Sequence, residues 1–194
     1  QYLASLPSGN MKFVWAKDEL TSVADFQDYK LRTTGAIATK AFQLLGAAPV
    51  SIPGPEMADA MYRGVVDGCV TTLDYGMEQG LDDFSDAISV WSVMPVISGA
   101  WCANAEAFDE LPEDLQWALR ETAKEVSRQQ YYAATPEFTA YSTWVGSTDM
   151  PIVYPDQSEV LAAREMTEPT VDDWLQTAGE YGPRVLEISA KYIP

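Results

Sequence analysis

The stretch YKLRTTGAIATKAFQLLG, residues 29–46, joins a β-type run to a helical run, and an arginine stands at the junction. Residues 30–34 read as a strand. Over residues 36–45 the apolar side chains fall on one helical face, and Gly46 suits the position after a helix end. Arg32 in this place is either a surface charge paired with a neighbouring acid or the floor of an anion site. Spacing alone leaves both interpretations open.

Strand-like and helix-like segments alternate on both sides of this junction. The β-type runs in the first half lie at residues 12–16, 30–34, 48–52, 68–73, 87–93 and 99–104. Gly54-Pro55-Glu56 has the proline and the acid that favour a helix start. Alternation of this kind predicts an α/β fold with a largely parallel sheet and right-handed crossovers.

The second half of the chain is mostly helical. Pro112 is typical of a helix start, and the apolar repeat after it continues to about Ala134, with a continuation past Pro136 left open. A late strand is predicted at residues 150–155. Asp156 and Glu159 form a variant of the capping box ahead of a further helix.

Composition and charge exclude several classes of protein. The 194 residues are 47% hydrophobic and 21% charged, as in a globular chain, and no apolar run reaches the ~18 residues of a membrane span. The net charge of −17 repels nucleic acid and anionic lipid, so neither is an expected partner. The chain begins without a basic and apolar leader, so we expect any targeting segment either to have been removed or to lie outside the given sequence.

Histidine is absent from the sequence, which removes the commonest general base and every Ser-His or Cys-His nucleophile pair. The two cysteines, Cys69 and Cys102, are too far apart for a zinc pattern. They are either two buried thiols or a disulfide, and the former is favoured.

Three predicted strand ends hand over to helices, at residues 32–35, 52–55 and 71–75. Ligands of open α/β sheets bind at the carboxyl ends of the strands, where helix starts offer unpaired N–H groups. The Arg32 guanidinium can hold a carboxylate by two parallel hydrogen bonds, Thr33 and Thr34 add hydroxyl donors, and Gly35 lets the backbone approach closely.

The segments KLRTTG (30–35) and LLGAAPVSIPGPEMADAMYRGVVDGC (44–69) resemble the central signature of the DctP-type substrate-binding proteins, which serve the tripartite ATP-independent periplasmic (TRAP) transporters. NAEAFDELPEDLQWAL (104–119) is similar to the run before that family's long helix. The resemblance covers nearly the whole chain. Members of the family are about half as long again, so the chain looks like a C-terminal portion.

The resemblance implies a periplasmic-binding-protein-like fold of the class II type. Residues 1–28 would end the first lobe and cross the hinge, and residues 29–110 would form the second α/β lobe. Residues 111–194 would supply the long helix and the C-terminal helices, which brace the hinge and pack on the first lobe.

The resemblance also implies that Arg32 holds the ligand carboxylate and that the strand end at Thr71 faces the same cleft. We expect Thr72 and the Gly54 loop to line the rest of it. Some relatives bind their ligand through a metal ion, but Val70 and Met94 stand at the corresponding places. Neither is a hard-cation ligand, so no metal and no cofactor are expected.

Four large side chains near these positions form either an aromatic and apolar wall of the cleft or ordinary core. They are Tyr75, Trp91, Met94 and Trp101. Tyr75 and Met94 are included among the predicted ligand-binding residues.

The function implied by the resemblance is capture of a small organic anion by a periplasmic solute-binding protein, which hands it to membrane transporter subunits. The protein itself would neither span the membrane nor catalyse a reaction. Two alternatives remain at this point. One is an α/β enzyme acting on a carboxylic acid, and the other is a sensory ligand-binding module.

Overall fold

The computed structural model describes residues 1–7, 12–91 and 98–191. Its strands are β1 (Tyr2–Pro7), β2 (Lys12–Ala16), β3 (Lys30–Thr33), β4 (Ala48–Ser51), β5 (Gly68–Thr72), β6 (Ala87–Ser89), β7 (Ser98–Cys102) and β8 (Ile152–Val153). Its helices are α1 (Ala36–Leu44), α2 (Met57–Tyr62), α3 (Leu73–Glu78), α4 (Ala105–Asp109), α5 (Glu113–Val145), α6 (Gln157–Thr167), α7 (Pro169–Thr177) and α8 (Gly182–Ser189).

The larger of the described sheets has the strand order β4-β3-β5-β2-β6-β8. β3 is parallel to both β4 and β5, and β6 is parallel to β8. β2 is antiparallel to its two neighbours, β5 and β6. Five strands therefore end at the same edge of the sheet at which β2 begins, and we call it the carboxyl edge. The predicted α/β fold with a mostly parallel mixed sheet is confirmed.

A second, two-stranded sheet pairs β1 with β7 in antiparallel fashion. The predicted domain boundaries stay a prediction, and the strand pairing shows where two of the strands within them lie. β2, predicted to belong to the hinge crossing, lies inside the six-stranded sheet. β7, predicted within the second lobe, pairs with the start of the chain instead.

Helix α5 connects the two sheets. Near its middle, the Ser127 hydroxyl donates a hydrogen bond to the Ser5 carbonyl of β1. Near its end, the Trp144 ring stacks on Trp15 of β2, with 6.1 Å between ring centroids. The helix ends at Val145, so it does continue past Pro136, which the sequence pattern had left open. In the described parts of the chain, no helix is both long enough and apolar enough to cross a membrane.

The C-terminal helices α6 and α7 pack against α1. The predicted packing of the C-terminal helices on the first lobe stays a prediction. Ala163 of α6 is fully buried in the core cluster that contains Phe26, Phe42 and Trp91. Glu159 does not complete the predicted capping box with Asp156, since Asp156 makes no side-chain cap. Instead, the Glu159 carboxylate accepts a 2.7 Å hydrogen bond from the Val23 backbone N–H, which ties α6 to the sheet domain.

Both faces of the six-stranded sheet are covered by apolar groups. Successive β2 residues point to opposite faces, so Val14 packs in one core cluster and Trp15 in the other.

Both cysteines are free thiols, which decides against the disulfide. Cys69 is buried as expected, but Cys102 is exposed, so the prediction of two buried thiols is wrong for Cys102.

Candidate functional site

A cavity of about 400 Å³ opens at the carboxyl edge of the six-stranded sheet. Residues from β2, β3, β5 and the following loops line it, namely Lys12, Arg32, Thr34, Gly54, Val70, Thr71, Thr72 and Tyr75. We call this cavity the edge pocket. Six of the eight residues predicted to bind the ligand lie in it.

Arg32 is the most constrained group of the edge pocket. Only 3% of the residue is exposed. Its Nε–H donates to the Ile52 carbonyl at 2.8 Å, and Nη1 donates to the Val70 carbonyl at 3.3 Å. A guanidinium has five N–H donors, so three remain for a ligand. The two carbonyls hold the side chain in place without neutralising its charge.

No acidic side chain pairs with Arg32 in the part of the chain that the structure describes. Burial lowers the pKa of Arg32, because a charged group loses hydration in the protein. The alternative of a surface arginine neutralised by a neighbouring acid therefore does not describe this residue.

Lys12 is a second cation in the edge pocket, and the sequence analysis missed it. It begins β2 and lies opposite Thr72 of β5 in the antiparallel register. Burial lowers the pKa of Lys12, and the positive charge of Arg32 lowers it further. The signal was present as the first residue of a predicted strand, but its use required knowledge that β2 runs against its neighbours.

Thr71 and Thr72 end β5 between the two cations, and α3 begins directly after them. Tyr75 lies in the first turn of α3 and packs on Gly54. A Cβ atom at Gly54 would lie 2.4 Å from the Tyr75 hydroxyl oxygen, so this contact requires glycine. Hydroxyl groups and an aromatic edge thus surround the charged floor of the pocket.

Thr33 does not line the edge pocket, although it was predicted to bind the ligand. Side chains alternate along a strand, so Thr33 points to the face opposite Arg32. It is fully buried, and its hydroxyl lies 2.9 Å from that of Thr39 in α1. Thr34 is exposed and does reach the pocket.

Of the large side chains that the sequence left open between a cleft wall and ordinary core, Tyr75 lines the edge pocket. Trp91 belongs to the core, where its indole N–H donates to the Leu20 carbonyl at 3.1 Å. Trp101 lies in β7, away from the edge pocket, and is 45% exposed. Met94 lies outside the described residues.

The described lining of the edge pocket is positively charged. Its lining combines two cations with threonine hydroxyls and contains no carboxylate. Within residues 1–7, 12–91 and 98–191, no group of three or more histidine, cysteine or acidic side chains could hold a metal ion. The lining also lacks a pair of acids for proton transfer.

A larger cavity of about 740 Å³ lies between α1 and helices α6 to α8, and it shares Thr34 with the edge pocket. Three of its four threonine hydroxyls are occupied, since Thr167, Thr170 and Thr177 donate to backbone carbonyls three or four residues earlier in the chain. The cavity lining contains no charged side chain. Size alone would favour it as a ligand site, but the edge pocket has the groups that orient a polar ligand.

The α/β architecture places a cavity with two cations at the carboxyl edge of the sheet, where open α/β sheets bind their ligands. Residues 1–177 match the family described as bacterial extracellular solute-binding protein, family 7, known as DctP. The chain belongs to this family, which confirms the resemblance seen in the sequence.

Individual relatives agree with the family assignment. The chain is 22% identical over 190 residues to the ectoine-binding periplasmic protein TeaA of Halomonas elongata, and the match covers 96% of this chain and 55% of TeaA. The solved TeaA structure matches with a TM-score of 0.84 at 21% identity. The match covers 96% of this chain and 60% of the TeaA chain.

Two further solved structures have the same fold. A TRAP periplasmic solute-binding protein from Desulfovibrio desulfuricans, with bound sn-glycerol-3-phosphate, has a TM-score of 0.87 at 18% identity, covering 99% of this chain and 61% of its own. A TRAP periplasmic solute-binding protein from Roseobacter denitrificans, with bound β-D-glucuronate, has a TM-score of 0.82 at 21% identity. The match covers 94% of this chain and 60% of that protein's chain. The chain therefore spans between half and two thirds of these relatives' lengths.

Proposed function

We propose that this chain forms the ligand-binding part of a periplasmic solute-binding protein of a TRAP transporter. Its ligand is a small organic anion, and Arg32 binds the anionic group. The loaded protein hands the ligand to integral membrane subunits and catalyses no reaction.

The observation that carries this proposal is the state of Arg32, a buried cation held by two neutral carbonyls and by no acid in the described chain. An unpaired buried charge is unfavourable, and a ligand carboxylate can correct it with two parallel hydrogen bonds. Thr34 and Gly35 lie beside it, where the first N–H groups of α1 can assist.

Solved relatives with this fold also support an anionic ligand. Relatives with this fold have been solved with sn-glycerol-3-phosphate and with β-D-glucuronate, both of which carry an acidic group. The net charge of −17 repels such ligands at a distance, although salt limits that repulsion to about 8–10 Å. Affinity must therefore come from local contacts, and the edge pocket supplies them.

The long helix fits a hinged binding protein. α5 contacts β1 of the two-stranded sheet through Ser127 and β2 of the larger sheet through Trp144. A ligand that contacts both sides of a hinge favours the closed state by its differential affinity. We propose that the closed form is the one that docks on the membrane subunits.

The test is a thermal-shift and calorimetric screen of organic acids on the full-length natural protein, followed by substitution of Arg32. A ligand that binds only the native state raises its melting temperature. We expect Arg32→Ala to remove the shift. Arg32→Lys should weaken binding by about tenfold or more, because an ammonium cannot form the two-point fork.

Arg63→Ala is the matched control. Arg63 is exposed on the surface and pairs with Asp59, so its removal changes the net charge equally but leaves the edge pocket intact. Full affinity in a folded Arg32→Ala protein would refute the assignment of Arg32. Turnover of a bound acid would instead support an enzyme.

A further inference from the structure

The end of α5 contacts the row of side chains that contains Arg32. The Trp144 ring stacks on Trp15 of β2, with 6.1 Å between ring centroids and an angle of 28° between the ring planes. Trp15 pairs with Cys69 of β5, and Cys69 pairs with Arg32 of β3, so these three side chains lie on one face of the sheet. Neither tryptophan lines the edge pocket, so the contact is made beside the pocket and not in it.

Helix α3 connects the two stacked rings to the edge pocket. On one side, a Cβ atom at Gly76 would lie between 2.4 and 2.6 Å from three atoms of the Trp15 ring, so the helix backbone rests directly on that ring. On the other side, the preceding residue, Tyr75, lines the pocket and packs on Gly54. A shift of the Trp15 ring would therefore displace Tyr75, because the ring and the helix are in contact without a gap.

Packing alone fixes the orientation of the Trp15 ring. The residue is fully buried, yet its indole N–H has no hydrogen-bond partner among the residues that the structure describes. Trp91 differs in this respect, because its indole N–H donates to the Leu20 carbonyl. The groups that surround Trp15 therefore determine where its ring lies, and the stacked ring of Trp144 is one of them.

Resting on the function proposed above, we infer that Trp144 is a positioning residue of the edge pocket. Through Trp15 and α3, the end of α5 sets the position of Tyr75 beside Arg32, and with it the affinity for the ligand. Trp144 acts without touching the ligand. Substitutions in packed chains of this kind change a coupled affinity by about twofold to thirtyfold.

Isothermal titration calorimetry on the full-length protein measures the effect. The probe is the tightest-binding acid of the organic-acid screen, in which D-glucuronate and glycerol 3-phosphate are included. We expect Trp144→Ala to weaken binding by at least about threefold, because the Trp15 ring loses the face that supports it. Trp144→Phe keeps an aromatic face at this place, so its affinity should stay within about threefold of the wild-type value.

Val66→Ala is the matched control for a simple loss of stability. Val66 is fully buried in the same core cluster as Trp15, but it precedes β5 and so lies at the opposite edge of the sheet from the pocket. Its truncation should lower the melting temperature and leave the affinity unchanged. Equal weakening of ligand binding by Val66→Ala and Trp144→Ala would mean that stability alone is responsible, and it would overturn the inference.

A double-mutant cycle tests the route through α3. In a Tyr75→Ala background the group that α3 positions is absent, so Trp144→Ala should cause no further loss of affinity. Additive losses would overturn the inference, and so would a loss below about threefold in Trp144→Ala alone. In both cases Arg32-dependent binding by the wild type would leave the proposed function standing. If the wild type binds no acid, the proposed function fails and this inference fails with it.

Discussion

Replacement of Gly76 by alanine tests the packing that positions the edge pocket. Gly76 lies in α3, which follows Thr72 and carries Tyr75. An added Cβ would lie 2.4 Å from Cε2, 2.5 Å from Cζ2 and 2.6 Å from Nε1 of Trp15. Trp15 is wholly buried and stacks on Trp144, so it has little room to move.

Two opposing effects decide the result. Alanine in place of glycine inside a helix normally raises stability by about 1 kcal/mol. Overpacking a closed core costs about 1–3 kcal/mol, and three approaches below 3 Å to a fixed ring place Gly76 at the upper end of that range. We therefore expect Gly76→Ala to lower the free energy of unfolding by about 2 kcal/mol, or the melting temperature by about 4–8 °C for a chain of this size.

Urea unfolding followed by circular dichroism measures this change. The same substitution in a Trp15→Phe background is the control, because phenylalanine lacks the Nε1 and Cζ2 atoms that the new methyl would meet. There Gly76→Ala should be close to neutral, so the two substitutions should be clearly non-additive. A stabilising Gly76→Ala in the wild type would refute the contact between α3 and β2, and with it the placement of Tyr75 in the edge pocket.

Two further predictions concern titratable groups. Burial raises the pKa of Asp25, but hydrogen bonds from Ser22 and Thr21 outweigh this and lower it below the usual value. The stabilisation by the Asp25 carboxylate is thus present above the unfolded pKa of about 3.9 and is lost as pH falls through the lower folded pKa. We expect Asp25→Asn to lower the free energy of unfolding in urea by about 1 kcal/mol at pH 7 and by less at acidic pH. An equal loss at every pH would contradict this prediction. Burial raises the pKa of Cys69 to about 12, whereas Cys102 is exposed. Iodoacetamide at pH 8 should therefore label Cys102 first, as measured by peptide mass spectrometry. Early labelling of Cys69 in the native protein would contradict its buried position.

Much of the six-stranded sheet could be predicted from the sequence because its signals are local. β3, α1 and β4 follow one another within residues 30–51, and each has its own periodicity or end signal. β1 was missed because it depends on β7, whose residue Cys102 pairs with Tyr2 across about a hundred positions. Pairing at that separation leaves no mark in either segment alone.

The candidate site was predictable in part for the same reason. Arg32 lies at a strand end that local rules identify, and the carboxyl-edge rule places Thr71 near it. Thr33 is included in the predicted site for its hydroxyl donor next to Arg32, although the alternation of the predicted strand 30–34 already places it on the opposite face. Lys12 required the direction of β2, which only the tertiary pairing with β5 and β6 determines.

The reversed direction of β2 determines the chemistry of the edge pocket. In a wholly parallel sheet, the carboxyl edge receives only residues that end strands or follow them. Because β2 is antiparallel, the edge also receives the first residue of a strand, Lys12, held by backbone pairing opposite Thr72. Both Lys12 and Arg32 are thus placed on strands and not on loops, so they meet a ligand with little reorganisation.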